Sequence, residues 1–164
     1  MARFSLNFSR KSFKVMQRSP SFHLWTNRRF DTVEPPVQVL IVDDDRNVAD
    51  ALGHALESGG MTVTIAYDGA EAIRSVQRLT PHVVILDIQM PDTDGFKVAR
   101  ALRTWRRFDP IPIIAHTSLP EREIVDRARA VLMDAYCRKG KSVKSLLKLI
   151  EVVAPTHGLS GKTV

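Results

Sequence analysis

The chain has 164 residues, 44% hydrophobic and 26% charged, which suits one domain with a real core plus an extension. No apolar run approaches the roughly 20 residues of a membrane-spanning helix, and the single cysteine, Cys137, excludes an internal disulfide and suits a reducing, cytoplasmic compartment. The net charge of +6 is unevenly placed: residues 1–36 hold seven basic side chains against two acidic ones, and the remainder 17 against 16, so the basic character belongs to the N-terminal segment.

Residues 1–36 scatter Phe, Leu and Trp among Ser, Arg and Lys without sustained periodicity and close on Pro35-Pro36. The segment reads as a disordered basic extension. Its composition also admits a transit peptide, or a contact with nucleic acid or an anionic membrane, although no convincing amphipathic helix supports the first.

From Val37 the pattern changes. Val37–Val42 is a short β-branched run ending in Asp43-Asp44-Asp45, and Val48, Ala51, Leu52, Ala55 and Leu56 then recur at helical spacing up to Gly59-Gly60. A strand is expected over Met61–Ala66, a helix over Gly69–Leu79, and a buried strand over His82–Ile85 leading into Leu86-Asp87. A Pro/Asp/Gly turn, Pro91-Asp92-Thr93-Asp94-Gly95, starts a helix running to about Arg106. Ile111–Ala115 is the fourth strand, ending at His116-Thr117-Ser118, and a helix begins near Pro120. Ala135–Arg138 is the fifth strand, ending at Lys139-Gly140, and Val143–Val153 is the last helix, stopped by Pro155. Alternating strands and helices imply right-handed crossovers and an α/β fold with a parallel sheet covered on both faces.

In such a sheet the strand ends carrying Asp43-Asp44-Asp45, Asp87, Thr117 and Lys139 project from one edge, where ligands bind. Crowded carboxylates call for raised pKa values or a bound cation, and hard oxygen ligands without a His or Cys cluster suit Mg²⁺. A hydroxyl and an ammonium beside them suit phosphoryl oxygens. Together these groups describe phosphoryl transfer onto Asp87.

With Leu40-Ile41-Val42-Asp43-Asp44, Leu86–Gly95, Thr117-Ser118, Tyr136 and Lys139 at matching spacing, residues 37–154 resemble a receiver domain of the two-component response regulators. The resemblance implies a flavodoxin-like doubly wound sheet of five parallel strands in order 2-1-3-4-5 with five helices. It also implies Asp87 as phosphoacceptor, Mg²⁺ held by Asp43, Asp44, Asp87 and the backbone carbonyl of Gln89, and Thr117 and Lys139 as phosphoryl ligands. Tyr136 would be the aromatic that changes rotamer with Thr117. The implied partners are a histidine kinase or histidine phosphotransfer protein, and a downstream protein meeting the face of the fourth helix, fifth strand and fifth helix. On that face Arg122, Arg129, Lys144 and Lys148 suit an acidic patch, or are merely solvated.

Other polar residues have plainer readings. Asp45 is a candidate N-cap, Asp92 and Asp94 are turn formers, His54 is solvated, His82 and His116 are structural, and Cys137 is a small core residue. No nucleotide-binding Gly-rich loop and no nucleophile–His pairing suggests an ordinary enzyme, and no nucleic-acid contact is expected of the receiver. Residues 155–164 form a polar tail too short for an output module, so the expectation is a stand-alone response regulator signalling through protein contacts. The alternative is a phosphorylation-independent interaction module, motivated by two departures from the family. Gly140 follows Lys139 where the family has proline, so a trans bond is expected there. Val131-Leu132-Met133 lacks the glycine that usually ends the fourth helix, so that helix end is expected to differ.

Overall fold

The computed structural model describes residues 21–157. Most of the expected N-terminal extension (1–20) and the end of the C-terminal tail (158–164) lie outside the described residues. The elements are β1 (Phe22–Leu24), β2 (Gln38–Val42), α1 (Arg46–Ser58), β3 (Thr62–Ala66), α2 (Gly69–Arg78), β4 (Val83–Leu86) and α3 (Gly95–Arg103). A 3-10 turn (Arg106–Phe108), β5 (Ile113–Thr117), α4 (Glu121–Ala130), β6 (Ala135–Arg138) and α5 (Val143–Val153) complete the chain.

The sheet order is β1-β6-β5-β4-β2-β3. Strands β2 to β6 are parallel and reproduce the expected 2-1-3-4-5 arrangement. Alternation along each strand divides the core. Leu40, Val42, Val84, Leu86, Ile113, Ala115 and Tyr136 pack with α2, α3 and α4 on one face. Val39, Ile41, Val83, Ile85, Ile114, Ala135 and Cys137 pack with α1 and α5 on the other. Among the described residues no helix is long and apolar enough to cross a membrane.

Three expectations are corrected. The reading of residues 1–36 as disordered fails from Ser21 onward, because β1 adds a sixth, antiparallel strand to the edge of β6, with His23 opposite Tyr136. Phe22 and Leu24 join the α1/α5 side of the core, while Trp25 joins the opposite side. Arg28 fixes the segment further, donating from Nε and Nη2 to Asp134 at 2.7 and 2.9 Å. Burial of Phe22 and a bidentate ion pair offset the ordering entropy that the sequence suggested could not be met.

The second correction concerns the end of α4. Leu132 adopts φ 58°, and the Met133 amide donates to Ala128 O at 3.0 Å, so the left-handed cap forms without glycine. A left-handed conformation costs an L-residue about 1–2 kcal/mol, and Leu132, 64% exposed, recovers little of it by burial. Leu132→Gly is therefore expected to stabilise the domain by up to about 1 kcal/mol, since relief of strain exceeds the added unfolded-state entropy. Urea unfolding of the two proteins checks this. Helix α3 also stops earlier than expected, at Arg103, where Thr104 folds back to hydrogen-bond Ala101 O at 2.6 Å.

Candidate functional site

Parallel strands place four side chains at one edge. Asp43 follows β2 directly, its amide donating to Ala66 O at 3.1 Å, and Asp87 follows β4, its amide donating to Val42 O at 2.8 Å. Each carboxylate caps its own turn: Asp43 Oδ1 accepts from the Asp45 amide at 3.1 Å, and Asp87 Oδ1 from the Gln89 amide at 3.0 Å. Those local bonds aim the second oxygen of each acid the other way, toward Lys139 at the end of β6. Its Nζ donates to Asp43 Oδ2 at 2.7 Å and to Asp87 Oδ2 at 2.8 Å. Both acids are buried, at 2% and 5% exposure.

Burial raises the Asp43 pKa, an effect that the Lys139 hydrogen bond and charge only partly offset. Burial alone would lower Lys139, but hydrogen bonds to Asp43 and Asp87 and their charges outweigh it and hold the ammonium above its ordinary value. Asp44 is exposed beside them, and one oxygen from each of Asp43, Asp44 and Asp87 lies within 4.8 Å of the others. Three carboxylates against one ammonium leave an excess of negative charge, all on hard oxygen donors. The donor set fits Mg²⁺, which takes a few carboxylates and keeps waters for its remaining positions.

The turn beyond Asp87 depends on Gly95. Its amide donates to Ile88 O at 3.1 Å, and a Cβ there would come within 2.2 Å of the Asp87 carbonyl. Only glycine lets α3 begin that close to the acid. Thr117 ends β5 fully buried; its carbonyl accepts from the Lys139 amide at 2.9 Å and its Oγ1 from the Leu119 amide at 3.3 Å. Tyr136, opposite Ala115 in the register, lies on the same face of the sheet as Thr117. The Tyr136 hydroxyl donates to Leu119 O at 2.9 Å. Gln89 is exposed and its side-chain oxygen accepts from Ser118 at 3.2 Å.

Gly140 sits at φ 75°, and among the described residues the cis bond is Pro35–Pro36. The Lys139–Gly140 bond is therefore trans, as expected, and a conformation closed to proline carries Lys139 to both acids. Asp45 is the N-cap of α1, accepting from the amides of Asn47 and Val48. Asp94 caps α3 and pairs with Arg127 at 2.7 Å. His54 and Asp92 are exposed, and His82 Nδ1 accepts from the Gln38 amide at 3.0 Å. Cys137 is buried, which pushes its thiol up to about 11.

His116 is neutral in the fold: burial, then the charge of Lys139, lowers it to about 4. In the unfolded chain it titrates near 6.5, so as pH falls the unfolded chain binds this proton first. Stability is expected to decline between about pH 6.5 and pH 4, with no contribution from this ring above 6.5. Allowing for partial exposure, the loss is on the order of 2 kcal/mol. Urea unfolding across that range should show a slope that His116→Asn lacks.

Sequence reasoning missed Glu121 and Asp134. Glu121 accepts from Trp25 Nε1 at 2.6 Å and pairs with His23. Asp134, 3% exposed, binds Arg28, Arg103 and the Ile113 amide. Every one of these partners lies at least 21 positions away in sequence, so only an unexplained acid flanking a helix or strand signalled them.

The response regulator receiver domain profile matches residues 39–151. The chain is 41% identical over 130 residues to the response regulator MprA of Mycobacterium sp. (strain KMS), covering 75% of this chain and 54% of the relative. It is 36% identical over 120 residues to MprA of Mycobacterium leprae (strain TN), covering 71% and 50%. The chain thus spans about half the length of these curated relatives. The structure of the Vibrio cholerae chemotaxis protein CheY4 superposes with a TM-score of 0.69 at 30% identity, covering 71% of this chain and 98% of that one. A matched profile, a shared fold and an acidic pocket closed by a lysine agree, and the chain belongs to the response regulator receiver domain family.

Proposed function

We propose that Asp87 accepts a phosphoryl group from a phosphohistidine on a histidine kinase or histidine phosphotransfer protein, and that the protein signals by contact with a downstream protein. The observation that carries this is the shared ammonium: Lys139 bonds Asp43 and Asp87 with one Nζ. The Asp87 carboxylate would attack phosphorus in line, forming the O–P bond of an acyl phosphate as the P–N bond breaks and the imidazole leaves as its neutral or protonated ring. Lys139, already on Asp87 Oδ2, would follow the new charge onto a phosphoryl oxygen, and the Thr117 hydroxyl would donate to another. Asp43, Asp44, Asp87 and the Gln89 carbonyl would hold Mg²⁺, which when bound supplies neutralisation of phosphoryl charge. Tyr136 would report the movement of Thr117 on the far side of β5. The buried, unlinked Cys137 is in keeping with a cytoplasmic setting.

Intact-mass spectrometry with acetyl phosphate tests this reading. Wild-type protein with Mg²⁺ is expected to gain one phosphoryl group, and to gain none under chelation or as Asp87→Asn. A wild-type chain that gains none, which is what an interaction module independent of phosphorylation would give, contradicts it.

A further inference from the structure

The segment beginning at Ser21 touches the acceptor site's far side through one continuous set of contacts. Across the β1–β6 pair His23 faces Tyr136, and the rings of Trp25 and His23 stack on the Tyr136 ring at 5.9 and 6.4 Å between centroids. The polar ends of both residues meet Glu121 in the first turn of α4. Two residues before that turn, Leu119 accepts from the Tyr136 hydroxyl with its carbonyl and donates to Thr117 Oγ1 with its amide. Thr117, Leu119, Tyr136, Trp25 and Glu121 therefore form a chain in which no neighbour moves freely of the next.

We propose that Ser21–Phe30 is a latch on β6 and α4 whose docking is coupled to the acceptor site, so that loading Asp87 releases it. The inference rests on the reading of Asp87 as phosphoacceptor. A side-chain rotation that carries Thr117 Oγ1 to a phosphoryl oxygen takes it out of reach of the Leu119 amide, from which it now accepts. The loop carrying Leu119 then shifts, Tyr136 loses its acceptor and turns, and the stacked face on which Trp25 rests is lost. Glu121 moves with the same loop, so the hydrogen bonds of His23 and Trp25 weaken together with the stacking. The latch is held at its other end by Arg28, which bonds Asp134, Ile111 O and Asp109 O. The change therefore loosens the Phe22–Trp25 end while Arg28 remains an anchor. What release uncovers is the outer edge of β6, with its backbone groups unpaired and Tyr136 beside them.

Such coupling is reciprocal: whatever loading does to the latch, opening the latch must do to loading. A shift that needs differential contacts in two states has them here, since the docked state includes the Tyr136 stack and the loaded state excludes it.

Amide hydrogen exchange on the full chain, with beryllofluoride and Mg²⁺ as the phosphoryl mimic, tests the proposal. Two amides report docking: Trp25, which donates to Asp134 O at 2.7 Å, and Arg138, which donates to Ser21 O at 3.3 Å. The Gln89 amide, bonded to Asp87, reports binding of the mimic. The expected result is a shift at Gln89 with exchange at Trp25 and Arg138 accelerated by roughly five-fold or more, and no change at Leu56 in α1. A shift at Gln89 with unaltered exchange at Trp25 and Arg138 would overturn the coupling alone. No shift at Gln89 would overturn the acceptor reading and the latch with it. The reverse arm is Trp25→Ala, which should tighten beryllofluoride by a comparable factor; unchanged affinity counts against the latch.

Discussion

Asp134→Ala is expected to cost about 4 kcal/mol of stability, the scale for removing one partner from a buried ion pair. Asp134 Oδ2 takes the Ile113 amide at 2.9 Å, Arg28 Nη2 at 2.9 Å and Arg103 Nη2 at 3.0 Å, while Oδ1 takes Arg28 Nε at 2.7 Å. Removing the carboxylate leaves the buried Arg103 guanidinium with carbonyl acceptors only, and the Ile113 amide with none at the start of β5. Asp134→Asn keeps acceptor oxygen but not charge, and should lose less. Urea unfolding of the three proteins decides the matter: an alanine variant within about 1 kcal/mol of wild type would show that Asp134 does not organise this corner.

The second large effect lies at the site. Lys139→Met keeps the length of the side chain and removes its charge, leaving Asp43 and Asp87 buried with only local amides for compensation. Without Mg²⁺ the variant is expected to lose about 3 kcal/mol, toward the lower end of the range for a broken buried pair because Lys139 is partly exposed. Millimolar Mg²⁺ should recover part of that loss, since binding to the folded state alone adds stability by mass action. The comparison is between unfolding curves in chelator and in Mg²⁺. Equal stability of Lys139→Met and wild type in chelator would mean that the two acids are not held charged against Lys139.

The parallel sheet was legible because β2 to β5 are rich in β-branched residues and each strand through β6 is closed by turn chemistry, and each helix repeats apolar residues at 3.6 spacing. The acceptor set was legible for a related reason: Asp43 and Asp87 each end an apolar run and Lys139 ends a short strand, and parallel topology alone brings strand ends together. Gly95 was legible as a turn residue, but its closeness to the Asp87 carbonyl depends on how α3 packs. Strand β1 was not legible. Its alternation, Phe22 and Leu24 to one side and His23 and Trp25 to the other, covers too few residues to stand out. Its strand state exists only because β6, more than a hundred positions on, offers an unpaired edge. Arg28 looked like one more positive charge in a basic segment, and only the fold reveals the buried acid that it meets. Leu132 shows propensity overridden: the tight return from α4 to β6 fixes the left-handed cap, and leucine carries the strain.

These omissions share a consequence. The sequence divides the chain into a basic extension and a receiver, whereas from Ser21 on the described residues place that extension against Tyr136, which Leu119 links to Thr117.

The account rests on Asp87 being the residue that takes the phosphoryl group, and borohydride trapping reads that directly. An acyl phosphate on aspartate is reduced to homoserine, whereas a free carboxylate is not. After acetyl phosphate, Mg²⁺ and borohydride, peptide sequencing by mass spectrometry should find homoserine at position 87, with Asp43 and Asp44 intact. Homoserine at Asp43 or Asp44, or unmodified aspartate at all three positions, would contradict the account.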